Sequence, residues 1–93
     1  MDKSLFRKTC QDAVEHFGAR QQLVVIKEEL AELIVAISHY ERGRDCMKIQ
    51  LSEETADVII CLQQLVLVAD IGTLTLTQIE RKIKRLNDLI SNS

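Results

Sequence analysis

The sequence lacks proline and tryptophan altogether, and its 93 residues include only three aromatic residues and three glycines. A strand-rich domain needs frequent turn residues and many β-branched or aromatic side chains. The scarcity of turn residues therefore predicts long helices. The same composition excludes a disulfide mini-protein, a collagen-like chain and a disordered tail.

Cysteine is also scarce, since Cys10, Cys46 and Cys61 are widely spaced and form no CxxC pair. This spacing predicts neither a zinc knuckle nor a disulfide framework, and we interpret all three as small buried hydrophobic residues. The N-terminal segment MDKSLFRKTC carries charges and has no apolar stretch before a cleavage site. We therefore expect a cytoplasmic protein with no secretory leader.

Neither the net charge nor the apolar runs predict binding to a nucleic acid or to a membrane. The net charge is −2, from 12 basic and 14 acidic residues, whereas nucleic-acid-binding proteins usually carry a basic excess. The longest apolar run, residues 58–71, contains two glutamines and an aspartate and is too short to span a bilayer. We expect no nucleic-acid partner and no membrane partner.

The chain does have many aliphatic side chains, with 46% hydrophobic and 28% charged residues. Its length predicts a single domain over residues 1–93. A domain this short buries a modest fraction of its surface and is marginally stable. We therefore expect a homo-oligomer in which a second copy supplies part of the core.

Apolar residues recur at intervals of three and four along four segments, which predicts amphipathic helices. The predicted helices cover residues 2–17, 19–42 and 52–71, and a last helix begins at Thr75 or Thr77 and ends near residue 91. Ser52 is the predicted N-cap of the third helix, and residues 44–51 form the loop before it. Gly72 is its predicted end, and short connections favour an antiparallel four-helix bundle, an all-α fold.

The third helix, apolar on most sides, would be buried between the others, and the second and fourth helices each have a predicted core face. The second helix would bury the stripe Leu23, Ile26, Leu30, Leu33, Ile34, Ile37 and Tyr40. The fourth would bury Leu76, Ile79, Ile83, Leu86 and Ile90.

Acidic residues concentrate in two short motifs, EELAE at residues 28–32 and EETAD at residues 53–57. On a helix, Glu29 and Glu32 share a face, and Glu54 and Asp57 repeat that geometry. If the two helices pack antiparallel, four carboxylates meet at one level, which is unfavourable without a cation. Oxygen ligands of this kind suit Mg²⁺. Either motif alone is also explained as an ordinary acidic helix surface, and Glu53 and Glu54 by a helix start.

The spacing EExxE followed by ExxD resembles the signature of the MazG-like nucleotide pyrophosphohydrolases, in the all-α NTP pyrophosphatase superfamily. The flanking segments add to the likeness, in particular to the phage and mobile-element branch. They comprise His16, Phe17 and Gly18 followed by Gln22, the segment SEETADVIICLQQL, and the basic tail IERKIKRL. The resemblance covers roughly residues 13–90.

The resemblance implies a four-helix unit, often in dimers or dimers of dimers. It also implies Mg²⁺-dependent cleavage of a nucleoside triphosphate between its α- and β-phosphates, with Mn²⁺ as a substitute ion. Glu29, Glu32, Glu54 and Asp57 would be the metal ligands. Glu28 would be a further ligand or the base for the attacking water, so Glu28 and Glu29 are the candidate catalytic residues.

The resemblance also suggests substrate-binding residues. Lys82 and Arg85, one helical turn apart, would bind phosphate oxygens, with Lys48 as a weaker candidate, although a solvated basic face explains these residues equally well. Phe17 would stack on the base and His16 or Gln22 would hydrogen-bond its edge. The helical spacing of Phe17 favours a core position instead, and His16 is interpreted as an exposed neighbour of Gly18.

Two other functions are known for helical bundles. A di-iron carboxylate bundle needs two Glu-x-x-His motifs, and here alanines precede His16 and His39 by three residues. That function is excluded. A non-catalytic helical dimerisation or regulatory module, or an inactive nucleotide-binding relative, remains the alternative.

Overall fold

The computed structural model describes residues 1–43 and 47–93 and contains four helices: α1 (Lys3–Phe17), α2 (Ala19–Glu41), α3 (Lys48–Ala69) and α4 (Gly72–Ser91). The all-α prediction is confirmed for these residues. Arg44, Asp45 and Cys46 lie outside the described residues, as does that part of the predicted loop. No described helix is both long and apolar enough to cross a membrane.

The ends of α1 and α2 agree with the sequence analysis. Asp2 caps α1 by accepting hydrogen bonds from the backbone amides of Ser4 and Leu5, at 2.9 and 3.0 Å. Gly18, with φ of 88°, separates α1 from α2 in a conformation that side chains disfavour. Gly43, with φ of 76°, follows the last turn of α2 in a left-handed conformation typical of helix ends.

The predicted start and end of α3 are both wrong. The helix begins at Lys48, and Ser52 lies inside it, where its hydroxyl donates to the carbonyl of Ile49 at 2.7 Å instead of capping. At the other end Asp70, not Gly72, terminates the helix, with φ of 53°. Aspartate tolerates this left-handed conformation, and the Ile71 amide closes the helix end by donating to Val66 at 3.1 Å.

Helices α2 and α3 run antiparallel and form the main helix contact. His39 near the end of α2 lies beside Gln50 near the start of α3, with 3.4 Å between Nδ1 and Oε1. Earlier on α2, Glu29 groups with Asp57, which lies later on α3. Helix α1 packs on both, whereas α4 packs on α3 alone among the described helices.

The buried residues are few and differ from the predicted stripes. Of the predicted stripe on α2 only Ile26 is buried, and the other buried residues of this helix are Gln22 and Ala36, which lie outside the stripe. Helix α4 has no buried residue, so its predicted inward positions, Leu76, Ile79, Ile83, Leu86 and Ile90, are exposed in the single chain. Cys10 and Cys61 are buried and free, as predicted.

Candidate functional site: a carboxylate cluster beside a small cavity

The face of α2 that contacts α3 includes an acidic position. Buried or half-buried residues recur there at intervals of four and three: Gln22, Ile26, Glu29, Leu33 and Ala36. Such spacing keeps residues on one helix face. Glu29 therefore lies on the packed side of α2, between apolar residues one turn before it and one turn after it.

Three carboxylates meet at this level of the α2–α3 pair. One oxygen from each of Glu29, Glu54 and Asp57 lies within 4.8 Å of the others. Glu32 is close as well, because its charge raises the pKa of both Glu29 and Glu54. We call these four residues the acidic cluster. The two predicted pairs, Glu29 with Glu32 and Glu54 with Asp57, are thus brought together.

Burial and mutual repulsion perturb the cluster. Loss of hydration is the largest cause of the raised pKa of Glu29, followed by the charges of Glu32, Asp57 and Glu54. The pKa of Glu54 is raised in the same order, by burial and then by Glu32 and Asp57. Both effects disfavour the ionised form of a carboxyl group.

The cluster also has unmet hydrogen-bonding capacity. Oε2 of Glu29 and Oε2 of Glu54 are shielded from water and have no hydrogen-bond partner among the described residues. Within residues 1–43 and 47–93 the ion pair present is Lys8 with Asp12 on α1, which does not touch the cluster. A set of oxygen donors with excess negative charge is the donor chemistry that suits a hard divalent cation.

Glu28 and Glu53, the first acids of the two motifs, lie outside the cluster. Both side chains are exposed, although each is adjacent in sequence to a cluster residue. Glu32 and Asp57 are exposed as well, so Glu29 and Glu54 are the two half-buried acids of the six. The role of Glu28 as ligand or base stays a prediction.

A cavity of about 210 Å³ adjoins the cluster. Glu29 and Asp57 form part of its wall, and Phe17, Gln22 and Gln64 form another part. The remaining wall is apolar and consists of Ala13, Val25, Ile60 and Cys61. Two residues predicted to bind the base, Phe17 and Gln22, are thus placed beside the acidic cluster.

The core interpretation of Phe17 is wrong, because its side chain is 59% exposed at the last position of α1. Its ring stands edge-to-face against His16, with 4.7 Å between ring centroids. His16 is exposed, as expected for a neighbour of Gly18. The aromatic ring is therefore available at the rim of the cavity.

The three predicted phosphate-binding cations are not at the cluster within one chain. Lys48 lines a separate cavity with Tyr40 and Thr55, on the side of α3 opposite Asp57, because nine helical residues span about two and a half turns. Lys82 and Arg85 are exposed on α4, which packs on α3 and not on α2.

The sequence analysis missed Gln64, which lines the cavity and is 7% exposed. Its position could have indicated this, because Gln64 lies seven residues, or one heptad, after Asp57 and therefore on the same face of α3.

Comparison with known proteins adds no relative: no protein-family model, no curated protein and no solved structure matches this chain.

Proposed function

We propose that this chain is a Mg²⁺-dependent nucleoside triphosphate pyrophosphohydrolase that acts in the cytoplasm. The reaction converts a ribo- or deoxyribonucleoside triphosphate and water to the monophosphate and pyrophosphate. The observation that carries the proposal is the meeting of the EExxE and ExxD motifs in one cluster of carboxylates. The resemblance to MazG-like enzymes supports the same reaction.

The residues present fit a divalent cation. Glu29, Glu32, Glu54 and Asp57 would hold Mg²⁺ or Mn²⁺, and the unpartnered oxygens of Glu29 and Glu54 are free to become ligands. When bound, such an ion neutralises phosphate charge and makes a water molecule more acidic. The repulsion that raises the pKa of Glu29 and Glu54 would then become attraction to the ion.

The chain's own residues would position the substrate and move the proton. Water attacks the α-phosphorus, the bond from that phosphorus to the bridging oxygen breaks, and pyrophosphate leaves with the electron pair. The Glu28 carboxylate, exposed beside the cluster, would accept the proton that the water gives up. Phe17 at the rim of the cavity and Gln22 inside it would orient the base.

We further propose that a second copy completes a helical bundle. The chain exposes 7440 Å², whereas a compact monomer of 10.6 kDa exposes about 5,500 Å². The radius of gyration is 15.9 Å against about 12 Å for a compact chain of this length. A standard interface buries about 800 Å² per partner, so the excess surface suffices for one.

The apolar stripe of α4 is the part of this surface with the clearest pattern. Its residues are between 51% and 66% exposed and recur at intervals of three and four, the spacing of a helix-packing seam. They are Leu76, Ile79, Ile83, Leu86 and Ile90. Because α4 does not pack on α2 in one chain, Lys82 and Arg85 would act on phosphates at the acidic cluster of a second copy.

The test is to incubate the purified protein with Mg²⁺ and a panel of eight ribo- and deoxyribonucleoside triphosphates. We expect equimolar monophosphate and pyrophosphate from at least one of them. A Glu54→Gln preparation, purified in the same way, controls for contaminating hydrolases. Release of orthophosphate alone, or no turnover across the panel, would contradict the proposal.

The alternative is a non-catalytic dimerisation or regulatory module, and the exposed stripe on α4 favours it. In that case the protein dimerises, turns over no nucleotide, and keeps its assembly when Glu29 is replaced by glutamine. An inactive relative would bind nucleotide with Mg²⁺ but release no product. Turnover by the wild-type protein that is lost in Glu54→Gln contradicts both versions.

A further inference from the structure

Gln64 is a buried amide side chain with no evident structural role. It is 7% exposed in the middle of α3, and none of the side-chain hydrogen bonds found among the described residues involves it. A carboxamide has two N–H donors and a carbonyl acceptor. The amide atoms of Gln64 are not among the side-chain atoms that are buried without a hydrogen-bond partner, so they keep contact with solvent. Because Gln64 lines the cavity beside Glu29 and Asp57, its amide is available to a ligand there.

Gln22 places a second amide on the opposite helix. It is 5% exposed, lines the same cavity, and its Nε2 donates to the carbonyl of Ala13 at 3.5 Å, at the long limit of a hydrogen bond. Its Oε1 makes no hydrogen bond to the residues that the structure describes. The cavity is therefore lined by two amides with free hydrogen-bonding capacity, while most of its remaining wall is apolar.

We propose that Gln64, together with Gln22, reads the edge of the nucleobase and so determines which nucleotide this site accepts. The inference rests on the proposed pyrophosphohydrolase function and adds a specificity residue to it. A carboxamide presents a donor and an acceptor side by side, which is the arrangement that pairs with a base edge, as in bidentate contacts to adenine. The ligand class is a nucleotide whose base offers an adjacent acceptor and donor.

The dimensions and the rim of the cavity agree with a base. A volume of about 210 Å³ lies below the range of pockets that enclose a drug-sized ligand, which suits a part of a nucleotide such as the planar base. The exposed ring of Phe17 at the rim offers a stacking surface. Glu29 and Asp57 in the same wall would place the phosphates of the nucleotide toward the acidic cluster.

The experiment compares two neighbouring glutamines. Gln64→Leu removes the amide from the cavity, and Gln63→Leu is the matched control, because Gln63 lines a different groove between α3 and α4. The first readout is kcat/KM across the eight nucleoside triphosphates with Mg²⁺. The second is the ¹⁵N side-chain amide resonances of Gln22 and Gln64 during titration with each of the nucleosides, without metal or phosphate.

We expect Gln64→Leu to lower kcat/KM for the preferred nucleotide at least tenfold and to flatten the ranking among bases, while Gln63→Leu changes neither more than twofold. We also expect the preferred nucleoside to shift both amide resonances in the wild-type protein and in Gln63→Leu. Gln64→Asn, which keeps a shortened amide, should retain more discrimination than the leucine variant if its fold is intact.

The outcomes separate the two proposals. If nucleotides are hydrolysed but Gln64→Leu leaves the ranking and kcat/KM within twofold, the base-reading role is overturned and the hydrolase function stands. If nucleosides shift the Gln64 amide but no triphosphate is cleaved, the base-reading cavity stands and the hydrolase function falls. If neither shifts nor turnover are seen, both are overturned.

Discussion

Glu29 on α2 and Asp57 on α3 face each other across the antiparallel helix pair, with carboxylate oxygens within 4.8 Å. Two like charges at this distance repel, and Glu54 completes a group of three. In the absence of a metal ion, this repulsion lowers the free energy of unfolding of the protein.

Replacing one cluster acid should cost activity but not stability. Glu54→Gln removes a charge next to Glu32 and Asp57, so we expect an equal or higher Tm in EDTA. Turnover should fall about a hundredfold or more, as when an electrostatic group at a reaction centre is lost. Glu53→Gln, an exposed neighbour on the same helix, is the control and should keep both Tm and turnover. A marked loss of Tm in Glu54→Gln would show that this acid is structural.

Metal-free stability should depend on pH with a definite sign. The folded-state pKa of both Glu29 and Glu54 lies above the ordinary value of 4.5. Between 4.5 and the raised pKa the folded chain binds more protons than the unfolded chain, so these groups make the free energy of unfolding fall as pH rises. Urea titrations in EDTA should show greater stability as pH is lowered from 7 towards 4.5, and a weaker dependence in Glu29→Gln. An equal slope in Glu29→Gln and wild type would contradict this.

Divalent cations should stabilise the folded protein through the cluster. Binding to the native state alone adds about 2.7 kcal/mol at a free ion concentration one hundred times Kd. Thermal unfolding should therefore shift upward with Mg²⁺ or Mn²⁺ and return on chelation. Sodium chloride at matched ionic strength is the control, and Asp57→Asn should lose most of the shift. Equal shifts in both salts would mean that charge screening alone is responsible.

A charge in the apolar stripe of α4 should disrupt assembly. Ile83 is 60% exposed in the single chain, so Ile83→Lys costs the monomer little but buries a charge in a dimer. Sedimentation velocity should report a dimer or larger for the wild type and a monomer for Ile83→Lys. Thr77→Lys, which adds the same side chain on the polar side of α4, should leave assembly intact. A wild-type chain that stays monomeric at high concentration would rule out the dimer.

Subunit mixing tests whether α4 serves the cluster of another copy. Glu54→Gln chains and Lys82→Gln/Arg85→Gln chains should each be nearly inactive alone. If α4 acts across the interface, mixed dimers contain one intact site, and equal mixing should restore about a quarter of wild-type activity. Mixing each variant with itself is the control. If activity is not restored although mixed dimers have formed, then α4 and the acidic cluster of each site belong to the same chain.

The sequence alone determined the helical character of the chain and the content of its acidic motifs. Hydrophobic period is a local property, and the predicted bounds of α1 and α2 agree with the structure to within one residue at each end. Within each motif, the shared face of Glu29 and Glu32 and that of Glu54 and Asp57 also followed from local spacing, since residues three apart share a helix face. These features can be predicted without knowing which helices pack against each other.

Only the tertiary structure decided which faces are buried. Helix α2 is apolar on two sides, and α3 packs on the side of Gln22 and Ala36 rather than on the richer stripe with Ile34. The periodicity of α4 predicted burial, but none of the elements that the structure describes buries its stripe. Gln64 could not be singled out from the sequence, because only the antiparallel packing of α2 and α3 places its amide beside the carboxylates. Burial is a property of helix pairs, and a local period cannot specify the partner.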